Sequence, residues 1–170
     1  MPTQPLVKMV KETELEDEAK NLFEQMKQKS GDVPKWMKVM GNCPDILLGF
    51  FSMFKATMDD APLDSILKWK AANAVSELNK CEFCVSVAEM KLKALGCEDV
   101  EAVTQDLNQR ERLAVDYAKQ ATEHAFKIDQ ELIEQVKQEF TDEEIVELTA
   151  VIGLFNYINR FNDALRILPD

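Results

Sequence analysis

Apolar residues recur at three- and four-residue spacing through most of the chain, the period of helices that turn one face toward a core. Leu15, Ala19, Leu22, Phe23 and Met26 form the first such run, which ends at Gly31, and Thr13 with Glu16 has capping-box spacing ahead of it. Residues 1–12 hold two prolines and no helical period, so they read as an extended arm. Pro34 and Pro44 each suit a first helical turn, which predicts a short helix from Pro34 to Met40, a break at Gly41 to Cys43, and a longer helix from Pro44 to Met58. Ile46, Leu47, Leu48, Phe50, Phe51, Met53 and Phe54 surround that longer helix, so the pattern demands burial on most faces or a subunit contact.

Pro62 and Asp64 open a further helix to Leu78, with Ile66, Leu67, Ala71, Ala74, Val75 and Leu78 as its apolar face. Asn79 with Glu82 again has capping-box spacing and predicts a helix from Lys80 to Leu95 stopped by Gly96, with Cys81 in its first turn. Residues 97–107 read as a polar connection. Asn108 with Glu111, then Asp129, then Thr141 with Glu144 start three more helices. The last is apolar around most of its circumference (Ile145, Leu148, Val151, Ile152, Leu154, Phe155, Ile158, Phe161, Leu165), which predicts a central place in the core. No proline falls between Leu63 and Leu168, a residue that costs about 3 kcal/mol inside a helix. The expectation is an all-α bundle of about seven to eight helices in one domain, residues 13–170, behind the arm.

Charge narrows the partners. Asp and Glu number 31 against 20 Lys and Arg, and a net charge of −11 repels a phosphate backbone, so nucleic acid is not an expected partner. The most apolar stretch, Ile46 to Phe54, is far shorter than the ~20 residues of a membrane-spanning helix. No export signal is evident, because Lys8, Lys11, Glu12 and Glu14 interrupt the opening residues, and the four cysteines (43, 81, 84, 97) then read as thiols of a reducing compartment, the cytoplasm. The five glycines never approach a G-x-G or phosphate-loop spacing, so no nucleotide cofactor is expected.

The chemistry this leaves is the pair Cys81 and Cys84. A Cys-x-x-Cys at a helix start places both sulfurs on one face, and the first-turn amides favour a thiolate over a thiol, which is how a redox dithiol is built. Lys80 adds to that effect while Glu77 and Glu82 oppose it, so the net sign stays open. Two plainer arrangements compete: two small apolar side chains facing inward, or half of a zinc site completed by Cys43, Cys97 or His124. His124, the only histidine, lies near a predicted helix C-terminus, where an imidazolium is favourable without any catalytic role.

The run from Ala74 through Asn79, Cys81 and Cys84 to Ala88, ending at Gly96, resembles the active-site segment of the alkylhydroperoxidase D-like (carboxymuconolactone decarboxylase) family. That segment reads as an apolar helix, Asn-x-Cys-x-x-Cys, and a further helix. Phe155 through Arg160 to Leu165 is similar to the family's closing helix, and Pro34, Trp36 and Met37 through Pro44 to its opening. The resemblance implies an all-α fold, trimers or hexamers, and a dithiol that reduces hydroperoxides, with an external dithiol as reductant and no metal or other cofactor. By position it implies that Cys84 attacks peroxide and Cys81 resolves the product to a disulfide. The family's peroxidases also carry a Glu twelve residues before the first cysteine and a His four after the second, as a proton relay; Trp69 and Ala88 stand at those positions here. Their loss leaves room for weak peroxidase activity, for a thiol–disulfide oxidoreductase or redox sensor acting on disulfide substrates, or for a non-enzymatic oligomeric binding protein. Glu77 and Glu89 are the nearest candidates in sequence for a replacement base, and both read as structural.

Overall fold

The computed structural model describes residues 4–60, 62–97, 99 and 106–169; the first three residues of the arm and most of the 97–107 connection lie outside the described residues. Among the described residues the fold is all-α, with eight helices and no strand. They fall into two compact units, Met1–Ala56 with Asn162–Leu168, and Thr57–Phe161.

The first unit holds α1 (Asp17–Ser30), α2 (Lys35–Met40) and most of α3 (Pro44–Met58). The arm is pinned down: Leu6 N–H donates to the Leu165 carbonyl at 2.8 Å and Val10 N–H to the Lys38 carbonyl at 2.9 Å, and the Val10 side chain is buried. Thr13 caps nothing. The Glu14 carboxylate takes the Lys11 amide at 2.8 Å and winds Glu12–Glu14 into a 3-10 turn, so α1 starts only at Asp17. Pro34 sits one position ahead of α2 rather than within it, whereas Pro44 is the first residue of α3. Trp36, Phe50 and Phe54 form an aromatic trio, with Trp36 edge-on to Phe50 at 5.3 Å. Leu47 and Phe50 are buried on α3, while Ile46 and Met53 remain half exposed.

The second unit holds α4 (Ser65–Leu78), α5 (Glu82–Ala94), α6 (Gln109–His124), α7 (Gln130–Glu139) and most of α8 (Asp142–Ala164). Its most buried helix is α4, where every residue from Leu67 to Ser76 is buried, Lys68, Lys70, Asn73 and Ser76 included. The apolar pattern marks α4 as one-faced and does not reveal this. Charged residues are buried at such positions when they are paired: Lys68 Nζ bonds Glu147 Oε1 at 2.6 Å and Lys70 Nζ bonds Glu111 Oε1 at 2.5 Å. α5 and α6 both pack on α4. On α8, Leu148, Val151, Ile152, Leu154, Phe155 and Ile158 are buried as the pattern requires, and Val146 and Tyr157 are exposed.

Caps fix the helix starts. Asp64 Oδ1 accepts from Leu67 N–H, Asn108 and Glu111 exchange both capping-box bonds at 3.0 Å, and Thr141 and Glu144 form the box that opens α8. Among the described residues no helix is long and apolar enough to cross a membrane.

Candidate functional site

The α4–α5 junction is built by backbone hydrogen bonds. α4 ends at Leu78, Asn79 is its C-cap, and Lys80 takes the left-handed conformation at φ 60°. Lys80 N–H donates to the Glu77 carbonyl and Cys81 N–H to the Ser76 carbonyl, both at 3.0 Å. This pair of bonds is the Schellman arrangement that closes a helix, with a lysine where glycine is usual. Cys81 is thus the residue that finishes α4 and, at once, the N-cap of α5. Sequence spacing places Cys81 inside the first turn of α5 and Asn79 as its cap; the chain places Cys81 one step outside, because the Schellman bonds claim residues 79–81 for α4.

Cys84 follows as the third residue of α5, and the Cys81 Sγ donates to the Cys84 Sγ at 2.8 Å. Both are thiols; Cys81 has no exposed surface and Cys84 retains 3 %. The buried residues of α5 are Cys84, Ala88 and Leu92, one per turn, so the dithiol lies at the head of the stripe by which α5 packs. The Cys81 sulfur takes no cap hydrogen bond from the α5 amides; the positive end of the helix dipole favours a thiolate at such a helix start, and burial opposes it.

Behind the junction lies a set of polar side chains. Asn79 Nδ2 donates to Asn156 Oδ1 and to Asn159 Oδ1, each at 3.0 Å, and Asn159 Nδ2 donates to Ser76 Oγ at 3.1 Å. Ser76 Oγ donates to the Ala72 carbonyl, Asn156 Nδ2 reaches Thr122 Oγ1 on α6, and Arg160 caps the outer end on Asn156 Oδ1 at 2.6 Å. The sequence pattern marks Asn79 as a helix cap and does not single out Ser76, Asn156 or Asn159 as its partners. The signal was available: Asn156 and Asn159 sit three apart on a helix whose same face is apolar, and polar groups at buried positions need partners.

No protein-family model matches the chain. The uncharacterized Escherichia coli protein YnjA is 31% identical to it over 146 residues, covering 81% of this chain and 80% of that one. A structure from Ralstonia eutropha, described as an alkylhydroperoxidase AhpD core and an uncharacterized peroxidase-related protein, superposes with TM-score 0.90 at 21% identity, over 100% of this chain and 94% of that one. The debrominase Bmp8 in complex with 2,3,4-tribromopyrrole superposes with TM-score 0.83 at 23% identity, over 96% and 91% of the two chains.

The chain belongs to the alkylhydroperoxidase D-like (carboxymuconolactone decarboxylase) family.

The two positions that the resemblance matches to a proton relay, Trp69 and Ala88, are packing positions here. Trp69 is buried and meets the Phe155 ring edge-on at 5.7 Å, and Ala88 has no exposed surface. Neither side chain can carry a proton. Glu77 is exposed and accepts from Asn73 Nδ2 at 3.0 Å, Glu89 is half-buried, and His124 closes α6 with Nδ1 4.0 Å from Glu123 Oε2. Cys43 is exposed and Cys97 half-buried. Among the described residues no group of three or more His, Cys, Asp or Glu side chains is arranged to hold a metal ion.

Proposed function

We propose that this alkylhydroperoxidase D-like chain is a thiol-dependent oxidoreductase that reduces hydroperoxides through a Cys81/Cys84 dithiol–disulfide cycle. The observation that carries this is the 2.8 Å between the two sulfurs, which leaves less than 1 Å to close to the ~2.05 Å of a disulfide. Cys84, the one with residual exposure, is the attacking thiolate: it bonds the terminal peroxide oxygen, the O–O bond breaks, and the leaving alkoxide takes a proton to become an alcohol. Cys81 then attacks the sulfur of the resulting sulfenic acid; the S–S bond forms, the S–O bond breaks, and the hydroxide leaves as water with the Cys81 proton. An external dithiol reduces the disulfide and resets the pair.

With 3 % exposure, the Cys84 site suits a small hydroperoxide. A missing general base typically costs about 10²–10⁴ in rate, so turnover is expected to be slow for the family, with the positive end of the α5 dipole as the remaining support for a thiolate. The same absence favours a second reading, a thiol–disulfide oxidoreductase in the cytoplasm that meets peroxide incidentally. We further propose that copies assemble as a homo-oligomer, which would cover the exposed Ile46 and Met53 of α3.

Stopped-flow peroxide consumption with a dithiol reductant tests the proposal. Wild type should turn over, Cys84→Ser should lose activity entirely, and Cys81→Ser should react once and stall. Rapid exchange with a small disulfide but peroxide consumption equal in all three proteins would select the second reading. A halogenated pyrrole belongs in the same assay as an alternative electrophile, given the debrominase on this fold.

A further inference from the structure

We infer that Asn159, acting through Asn79 and Ser76, positions Cys81 against Cys84 and thereby sets the reduction potential of the dithiol. The inference rests on the dithiol cycle proposed above and concerns residues outside the cysteine motif itself.

The junction that presents Cys81 does not hold itself. Lys80 occupies a left-handed conformation that costs an L-residue with a Cβ, so residues 79–81 have a local tendency to leave the Schellman geometry. Two anchors oppose this. Ser76 supplies the carbonyl that accepts the Cys81 amide, and Asn79 is the C-cap one residue before Lys80. Asn159 bonds both of them, giving its Nδ2 hydrogen to Ser76 Oγ at 3.1 Å and receiving Asn79 Nδ2 on its Oδ1 at 3.0 Å. It is fully buried on α8, so water does not compete for either bond. Asn156 adds a second acceptor for Asn79 but does not reach Ser76. The amide of Asn159 therefore bridges the last turn of α4 and its cap, and the position of the Cys81 sulfur follows from both.

A dithiol closes to a disulfide when one sulfur is held at high effective concentration beside the other. In exchange with glutathione, the S–S bond of oxidised glutathione breaks as the Cys81–Cys84 bond forms, and the two thiol protons pass to the two glutathione molecules released. A clamp that holds the sulfurs 2.8 Å apart favours the closed form, and its removal shifts the balance toward the dithiol.

The full chain, titrated against glutathione and dithiothreitol redox buffers with thiol alkylation as readout, tests this. Asn159→Ala and Asn79→Ala are compared with Val136→Ala, a buried core truncation on α7 chosen to lower thermal stability without touching the junction. The expected result is an about tenfold smaller equilibrium constant for disulfide formation in both asparagine variants, about 30 mV toward a more oxidising couple, with Val136→Ala matching wild type. Asn79 is only half-buried, so its variant carries the test if Asn159→Ala fails to fold. Asparagine variants that titrate with wild type, or a Val136→Ala shift of equal size, would overturn the positioning role alone. A wild-type protein that forms no Cys81–Cys84 disulfide at any buffer potential would instead overturn the dithiol cycle on which it rests.

Discussion

The Lys68–Glu147 pair gives the sharpest energetic prediction. Lys68 has no exposed side-chain surface, and its ammonium bonds Glu147 Oε1 at 2.6 Å together with the Asp59 carbonyl. The other oxygen, Glu147 Oε2, accepts the amide of buried Leu63 at 2.8 Å. Glu147→Leu therefore removes the charge partner of a buried cation and the acceptor of a buried backbone donor together. Breaking a buried ion pair from one side costs about 3–5 kcal/mol, and the orphaned amide places this site toward the upper end. For a chain of this size each kcal/mol lowers Tm by about 2–4 °C, so the expected drop is roughly 6–20 °C. The pair is shielded from solvent, so salt at about 0.5 M should change the difference little. Removing both charges in Lys68→Met/Glu147→Leu should recover at least half of the loss, because no ammonium then has to be desolvated without a counter-charge. Calorimetric melting of the three proteins measures this. A single variant melting within ~2 °C of wild type, or a double variant less stable than Glu147→Leu, would refute the reasoning.

Three further outcomes follow from local geometry. Lys80→Gly relieves the φ 60° conformation and should stabilise the chain by up to ~1 kcal/mol in urea titration, whereas Lys80→Val should destabilise it. At Gly41 an added Cβ would lie 2.6 Å from Val10 Cγ2 and 3.3 Å from Phe23 Cζ, so Gly41→Ala should cost about 1–3 kcal/mol and expose the arm to proteolysis. The Asp32 carboxyl is held below its ordinary pKa, first by the Lys38 ammonium and then by the Val33 amide. A lowered folded pKa stabilises above the unfolded value, near pH 4, and the gain disappears as pH falls through the folded value. Asp32→Asn should thus melt below wild type at neutral pH and converge with it in strong acid.

The fold class was legible because the signals that set it are local. Helical periodicity, Pro44 at a helix start, Gly31 at a helix end and the box of Asn108 with Glu111 each act within a few residues. What escaped sequence reasoning depends on distant partners. Lys68 and Lys70 look like solvent residues until Glu147 and Glu111 meet them from other helices, so the pattern alone marks α4 as one-faced. Two candidate boxes were misplaced for a related reason. Thr13 lost to Glu14, which captures the Lys11 amide, and Asn79 lost to the Schellman bonds, which turn its side chain toward Asn156 and Asn159 on α8. The cysteine motif itself was visible, but the 2.8 Å approach and the asparagines behind it are properties of the assembled helices.

The proposed cycle depends on two sulfurs that make and break one bond, and peptide mapping after oxidation tests this most directly. Wild-type protein is treated with one equivalent of hydroperoxide, alkylated, digested and analysed by mass spectrometry. The expected product is a disulfide joining Cys81 to Cys84, with Cys43 and Cys97 still alkylated. Oxidation confined to Cys43 or Cys97, with Cys81 and Cys84 recovered as thiols, would contradict it.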